Sequence, residues 1–580
     1  MPYLLPMSFA RCTSKSHESS QQSIDFMTVL PMTDTARAQS ANDVWRKCGL
    51  LRLSSEVGRM LEVDFMKPGL ATIAAVAALS LALFGILTHK ARRPPLPPGP
   101  KSSWFGLGPP VMPASYPWRT YAEWRNIYGD IIYLHAFGNS VIVLNSAKAA
   151  DDLLDKRSAI YSSRPERAMI RDVMGWNWSF VGMPYGNSWR KHRGAFQKHF
   201  HTRATPRYEP IQIREAHAFL RNLLHSPENY YHHLRRNAAA LVMKISYGHD
   251  VAEEGDVFVT LAERAVANTM KAGIFGTYLV DYIPILKHVP YWLPGAGFKR
   301  QGREWMKDSR AMLDKPYEVV KEQMDSGTAG PSVMTIELEN LNSSKDVDIT
   351  TIKNIAAISY AAGADTTVST MMAFFLGMML HPEYQRKAQE EIDRVIGPDR
   401  LPDFSDRDQL PYVNNIIWEC LRWNPVAPLA VPHATTQDDV YEGYWIPKGT
   451  TIIPNIWAMF HDETKYPDAF TFKPERFEDE KKNMELGNND VPHIVFGFGR
   501  RVCPGRWLAL DSLWITIASV LSVYTISKPK DVNGAVIEPE IEFTNGLVSR
   551  PKMFKCSVVP RSEAALSLIK QTEDERDMAK

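Results

Sequence analysis

Cysteine is scarce in this chain, with five in 580 residues: Cys12, Cys48, Cys420, Cys503 and Cys556. No two have the two-residue spacing of a zinc site or a thioredoxin-type pair, and five cannot staple a chain of this length. A disulfide-built secreted scaffold is excluded, and a reducing compartment is the expectation. Net charge is nearly absent as well, because 67 Lys and Arg stand against 65 Asp and Glu. That balance gives no support for nucleic acid as a partner bound by phosphate neutralisation. The sequence also has no repeat, no G-x-G-x-x-G opening a helix and no Walker A loop, hence no evident dinucleotide site of its own. A 44% hydrophobic share excludes general disorder.

What is present begins with an apolar run. Pro68 to Thr88 reads PGLATIAAVAALSLALFGILT, uncharged between Lys67 and Lys90, and as a helix it would be about 30 Å long, enough to cross a bilayer. Lys90, Arg92, Arg93 and Lys101 follow it, while Glu62 and Asp64 offset Lys67. The positive-inside rule therefore places the C-terminal bulk in the cytosol. The expected organisation is an extension over 1–66, a transmembrane anchor over 67–89, a Pro-rich hinge over 90–102, one mainly α domain with small β-sheets over 103–560, and a frayed charged tail over 561–580. The acids in the extension fit neither a signal nor a transit peptide. It is either a gene-model artefact ahead of a start at Met66 or a disordered luminal tail. On the cytosolic side the sequons at Asn177 and Asn342 go unused.

Helical periodicity is expected over Pro117–Tyr128, Ser146–Lys156, Asn187–His201, Tyr208–Leu224, Tyr230–Tyr247, Gly302–Met324, Thr350–Leu380, Glu383–Ile396, Pro411–Trp423 and Gly505–Tyr524. Ile131–His135 and Val141–Leu144 read as a hairpin around Gly138-Asn139, with further β runs near Tyr444–Ile446, Thr450–Ile453 and Phe554–Val559. The aromatic, Pro-rich stretch Tyr278–Phe298 cannot span a membrane. It is either a buried loop or one that dips into lipid headgroups.

Phe496 to Gly505 reads FGFGRRVCPG and runs into a helical pattern. Cations and the N–H groups of a helix N-terminus stabilise a thiolate, and glycines let the backbone fold closely around the sulfur, so the loop is expected to hold Cys503 as a thiolate. The residues satisfy F-x-x-G-x-R-x-C-x-G through Phe496, Gly499, Arg501, Cys503 and Gly505. On this motif the chain resembles the cytochrome P450 monooxygenases, and the resemblance implies haem b (iron protoporphyrin IX) with Cys503 as the axial ligand to its iron.

Three separate motifs extend the resemblance, which spans about residues 90 to 560. Glu419 and Arg422 form E-x-x-R one helical turn apart, and PERF at Pro474–Phe477 adds Arg476, implying the family's buried Glu-Arg-Arg network. Ala362–Thr367 reads AGADTT. A Gly and two β-branched Thr are unfavourable there, which predicts a distorted helix. The resemblance implies that Asp365 and Thr366 deliver protons to bound dioxygen. Trp189 and Arg193, in W-x-x-x-R, are implied to reach a haem propionate, as are Arg501 and His433.

The implied reaction inserts one oxygen atom of O2 into a small apolar or aromatic substrate. The pocket expected from family topology comprises Met174, Phe180, Ala361, Ala427, Leu429, Val431 and Leu547. Electrons are implied to come from NADPH through a membrane-bound NADPH-cytochrome P450 reductase, with cytochrome b5 as a further donor, docking on Arg190, Lys191, Lys198, Arg500 and Arg506. The implied place is the endoplasmic reticulum membrane. The segments around MGWNWSF and VPHATT are similar to fungal microsomal members, the O-methylsterigmatocystin oxidoreductase-like group, which implies secondary metabolism of a terpenoid, polyketide or indole. The rival readings are a non-catalytic haem-thiolate sensor or carrier, a family isomerase or dehydratase, and a detoxifying role. The first would not need Asp365-Thr366, and the second would depart from that motif.

Overall fold

The computed structural model describes residues 75–81, 93–101, 113, 115–273, 276–341, 347–486 and 491–578. The chain divides into two units, 1–93 and 94–580. In the first, residues 75–81 are helical and exposed. The rest of the expected anchor, and the 1–66 extension, lie outside the described residues.

The second unit begins with residues 94–100 outside any helix or strand, as a run of prolines without N–H donors requires. This part of the expected hinge is tied down. Proline carbonyls still accept hydrogen bonds, and Trp445 N–H donates to Pro95 O and Tyr133 N–H to Pro98 O, each at 2.8 Å. A Cβ at Gly99 would sit 1.9 Å from the Tyr133 carbonyl oxygen, so only glycine allows this approach.

Helix α1 (Pro117–Tyr128) starts on a proline whose missing N–H costs nothing there. Strands β1 (Ile131–Ala136) and β2 (Asn139–Leu144) pair antiparallel, Ile131 opposite Leu144. The turn lies one residue earlier than expected. Phe137 and Gly138 take φ of 46° and 81°, the two left-handed residues that suit a twisted hairpin, while the Asn139 amide donates back to the Ala136 and Phe137 carbonyls.

The helices that follow are α2 (Asn187–Phe200), α3 (Glu209–His225), α4 (Tyr230–Tyr247), α5 (Val257–Gly273), α6 (Gly297–Asp325), α7 (Val333–Glu339), α8 (Ile349–Leu380), α9 (Pro382–Val395) and α10 (Pro411–Trp423). The expected Ser146–Lys156 helix is split, an α turn over Ala147–Ala150 passing into a π turn over Asp151–Lys156. Strands β3 (His433–Ala434), β4 (Asp439–Tyr441), β5 (Tyr444–Ile446) and β6 (Thr451–Pro454) come next. The main sheet has the order β1-β2-β6-β3, with β2 and β6 parallel. Helix α11 (Arg506–Val523) leads into β7 (Tyr524–Ser527), which pairs with β8 (Ser557–Pro560). Among the described residues α11 is the helix long and apolar enough to cross a membrane. Its residues from Leu508 onward are almost all buried, which makes it a core helix of this unit.

Helix α8 runs through the interior against α4, α10, α11 and α2. It is capped by the Asp348 carboxylate, which accepts from Thr351 N–H at 2.7 Å. Helices α5 and α7 carried no pattern strong enough to be expected. The Tyr278–Phe298 stretch is not a buried loop: Ile285 is 73% and Trp292 68% exposed, on turns held by Asp281 to Arg167 (2.9 Å) and Lys287 to Asp172 (2.8 Å).

The tail expected to fray instead forms α12 (Glu563–Met578). Ala565, Leu568 and Ile569 share one face and are buried, and buried Arg221 of α3 donates to the Thr572 carbonyl at 2.8 Å and to its hydroxyl at 2.9 Å. The charges that suggested fraying lie outside this short apolar stripe. Ending the chain after Pro560 should cost about 3 kcal/mol and lower the thermal midpoint by about 5 °C. An unchanged midpoint by scanning calorimetry would show that α12 contributes nothing to the core.

Candidate active site

The Cys503 loop is shaped by glycine. Gly497 and Gly499 have φ of 81° and 54°, and a Cβ at Gly499 would lie 2.2 Å from the Leu154 carbonyl oxygen, so the loop closes onto the Asp151–Lys156 turn only because no side chain intervenes. Cys503 N–H donates to Phe496 O at 2.8 Å, which closes the loop just before α11. The sulfur receives the Gly505 N–H and lies near Arg193 and Arg506. These pull the thiol pKa down, yet burial outweighs them and the net shift is upward. In the protein without a metal, desolvation of the anion thus exceeds what the Gly505 N–H and the two guanidinium groups return. A metal ion bonded to the sulfur would reverse that balance.

Beside the cysteine lies a group of cations, Arg501 buried and Arg164 and Arg193 half-buried. Arg501 donates to the carbonyls of Ser162 (2.7 Å) and Met183 (2.7 Å), and its guanidinium lies 4.3 Å from the Trp189 ring centroid. Arg193 donates to Val502 O at 2.7 Å. Arg164, which the sequence did not single out, donates to Val431 O at 2.7 Å and Pro432 O at 2.9 Å. Burial, and for Arg501 the neighbouring Arg193, bring Arg501 down to about 9 and Arg193 to about 10, and burial with Arg501 nearby lowers Arg164 strongly. Among the described residues no carboxylate pairs with any of the three. Buried positive charge without a counter-charge is costly, so the cluster suits a dianionic ligand such as the two propionates of a haem. His433 differs from expectation. Burial and Arg164 depress its pKa far below the usual range, and its Nδ1–H is spent on Tyr161 O at 2.8 Å. It can donate to an anion from Nε2 only by taking up a proton.

Helix α8 is buried along Thr351–Tyr360 and Val368–Met379, but Ala362 between them is exposed and residues 363–367 are half-buried. An opening thus sits in the middle of a core helix, where the Asp365-Thr366 motif falls. The helix is unbroken, against the expected distortion. The Thr366 and Thr367 hydroxyls donate to the carbonyls of Ala362 and Gly363, each at 2.9 Å, which accommodates them within the helix. The Asp365 carboxylate lies 3.6 Å from Arg235 and 3.9 Å from Arg550.

Glu419, Arg422 and Arg476 converge. Arg422 forks onto both Glu419 oxygens at 2.7 and 2.8 Å, and Arg476 Nε reaches the same carboxylate at 3.0 Å. Lys473 N–H adds a fourth bond at 2.7 Å, and Arg422 also donates to Phe460 O and Ala469 O.

The expected substrate residues do not share one pocket. Leu429 and Leu547 line a cleft with Trp118, Tyr121, Gly273 and Pro432. Ala361 lines a separate cavity with Arg235, Glu263 and Asp365. Ala427 and Val431 are half-buried. Met174 and Phe180 are packed into the core, Phe180 edge-on to Phe196 at 5.5 Å. Helical phase and loop path decide which side chains face a cavity, and neither follows from position along the chain. On the expected docking face Lys191 is paired with Asp348 at 2.9 Å and Lys198 lies 3.8 Å from Glu337. Among the described residues Arg190, Arg500 and Arg506 have no carboxylate partner, and Arg500 donates to Tyr185 Oη at 2.7 Å. His199 is buried on Glu337 at 2.8 Å and His233 on Ser226 at 2.9 Å. Among the described residues no group of three or more His, Cys, Asp or Glu could hold a metal.

The Cytochrome P450 family model matches residues 96–558. A protein of Postia placenta described as cytochrome P450 monooxygenase 208 is 43% identical over 508 residues, 87% of this chain and 98% of its own length. The cytochrome P450 monooxygenase claR of Ampulloclitocybe clavipes is 41% identical over 512 residues, 88% of this chain and 94% of its own. A solved zebrafish cytochrome P450 structure with abiraterone superimposes with a TM-score of 0.61 at 21% identity, covering 77% of this chain and all of that one, a likeness of fold.

Proposed function

The chain belongs to the cytochrome P450 family and is a haem-thiolate monooxygenase fed by a redox partner, and from that premise we propose that Cys503 supplies the axial thiolate. The observation that carries this assignment is the cluster of Arg501, buried, with half-buried Arg164 and Arg193, without a carboxylate partner among the described residues and beside the Cys503 sulfur. Trp189 backs the Arg501 guanidinium, and His433, once protonated, adds a donor. A Cβ at Gly505 would meet no protein atom within 4 Å, so the glycine leaves room for a ligand. Phe496 holds the Cys503 N–H through its carbonyl. Glu419, Arg422 and Arg476 brace the fold beneath the site. Haem bound here supplies dioxygen activation and oxidation of a C–H bond. The protein's own part is to hold the propionates, position the substrate and move protons.

Asp365 accepts protons from the cavity beside α8 and passes them toward Thr366, whose hydroxyl relays them to the opening at Ala362. Substrate enters through the cleft lined by Leu429 and Leu547, whose apolar walls suit a small apolar or aromatic molecule of fungal secondary metabolism, as the O-methylsterigmatocystin oxidoreductase-like motifs imply. Electrons arrive from an NADPH-cytochrome P450 reductase, or cytochrome b5, on the face of Arg190, Arg500 and Arg506. The anchor over 67–89 holds the enzyme on the endoplasmic reticulum as a single-pass protein with its catalytic domain in the cytosol. The exposed Leu279, Ile285 and Trp292 then rest in the headgroups.

Co-expression with a reductase under isotopically heavy dioxygen, with metabolite profiling, should yield a product carrying one heavy oxygen atom. Asp365→Asn should lower its formation about a hundredfold, and Thr366→Ala should divert consumed NADPH to hydrogen peroxide. A product without label would overturn the monooxygenase reading, and an Asp365→Asn variant at the wild-type rate would remove Asp365 from the proton path.

A further inference from the structure

The ion pairs around Asp365 are unevenly made. Glu263 of α5 holds Arg235 of α4 through two contacts, its Oε1 lying 2.8 Å from both Nε and Nη2. Nη1 of the same guanidinium donates to Tyr231 Oη at 3.0 Å and faces Asp365 at only 3.6 Å, beyond hydrogen-bond length. Arg550, on the segment before β8, is farther still at 3.9 Å. Arg235, Glu263, Tyr360 and Asp365 line one cavity between α4, α5 and α8. The Glu263 side chain is 39% exposed and that of Asp365 16%, so one carboxylate meets solvent and the other is sheltered. Helix α5 also borders the substrate cleft through Gly273, where a Cβ would lie 3.0 Å from Leu547.

We propose that Glu263 is a positioning residue for proton delivery: by holding Arg235 it keeps that guanidinium from clamping Asp365, and so leaves the Asp365 carboxylate free to turn between the cavity and Thr366. One guanidinium faces two carboxylates, and the geometry shows which has the better grip. Arg235 has a hydrogen bond and a second close nitrogen on one Glu263 oxygen and a bond to Tyr231, and offers Asp365 what remains. Removing the Glu263 charge would leave Asp365 as its nearest anion. In a half-buried site such an ion pair is strong enough to hold a short side chain in one orientation. Because α5 carries both Glu263 and the wall of the cleft, a substrate that shifts α5 would alter the grip on Asp365. The proposal rests on Asp365 as the proton donor.

The test uses the holoenzyme reconstituted with NADPH-cytochrome P450 reductase, and 7-ethoxycoumarin as the probe. Glu263→Gln should slow NADPH consumption about threefold to tenfold and enlarge its solvent deuterium isotope effect. Adding Arg235→Gln should restore the rate, which no structural defect would do. A second measurement needs no turnover. The coupling between Arg235 and Asp365, from a double-mutant cycle of Arg235→Gln and Asp365→Asn on urea unfolding, should at least double in the Glu263→Gln background. An unchanged coupling, or a Glu263→Gln rate that Arg235→Gln fails to restore, would overturn the proposal. If Asp365→Asn itself consumes NADPH at the wild-type rate, the failure lies with the proton-donor reading instead.

Discussion

Replacing Cys503 by alanine should abolish the thiolate-type carbon monoxide difference band of the reduced protein, and all oxygen insertion with it. The expectation follows from the charge balance around the sulfur. Burial raises the Cys503 thiol pKa despite the Gly505 N–H, Arg193 and Arg506, and a metal ion bonded to the sulfur would favour the thiolate. Without that sulfur no anionic side chain remains in the loop Phe496–Gly505 to bond the iron or donate electron density. The cations at Arg164, Arg193 and Arg501 would still attract propionates, so the variant should retain weakly held haem with an altered absorption spectrum. Cys503→Ser should fail in the same way, since a buried hydroxyl ionises far less readily than a thiol. Difference spectroscopy on purified protein checks both, and a thiolate-type band surviving in Cys503→Ala would sink the assignment.

Glu419→Ala should prevent recovery of a folded protein. Glu419 and Arg422 are fully buried, and the carboxylate takes bonds from Arg422, Arg476 and Lys473 N–H. Deleting it leaves two guanidinium groups with carbonyl partners and no counter-charge. Breaking a buried pair in this way costs about 3–5 kcal/mol, against a total stability of about 5–15 kcal/mol for a typical protein. Arg422→Lys should be nearly as damaging, because an ammonium cannot reach both Glu419 oxygens and the Phe460 and Ala469 carbonyls at once. Arg476→Lys, which loses fewer bonds to the carboxylate, should be milder. Far-UV circular dichroism and urea unfolding of the soluble fraction measure the order Glu419→Ala, Arg422→Lys, Arg476→Lys. A Glu419→Ala protein with the wild-type unfolding midpoint would show that the network contributes nothing to stability.

Much of the scaffold was legible in the residues. Helices α4 and α10 fall on the expected boundaries because their ends carry local signals: Gly248 in the left-handed region closes α4, and Pro411 opens α10. Helix α12 was not legible, because its burial depends on Arg221, some 350 residues away in sequence. The substrate pocket fared worst. Phe180 and Met174 are as apolar as Leu429 and Leu547, and only packing separates residues that line a cleft from residues that fill the core.

The sequence by itself determined the chemistry of this protein. A cysteine between fixed glycines and arginines, an Asp-Thr pair within a long helical pattern and a Glu-x-x-Arg turn are local arrangements, set by spacing along the chain and readable without coordinates. Only the tertiary structure decided how those groups are held. The cations Arg164, Arg193 and Arg501 come from separate segments and meet through loop packing, the balance on Cys503 depends on how far the sulfur is shielded from water, and Asp365 faces Arg235, Glu263's partner. Each of these turns on desolvation and on distances between residues far apart in the chain, and neither quantity is encoded in any local pattern.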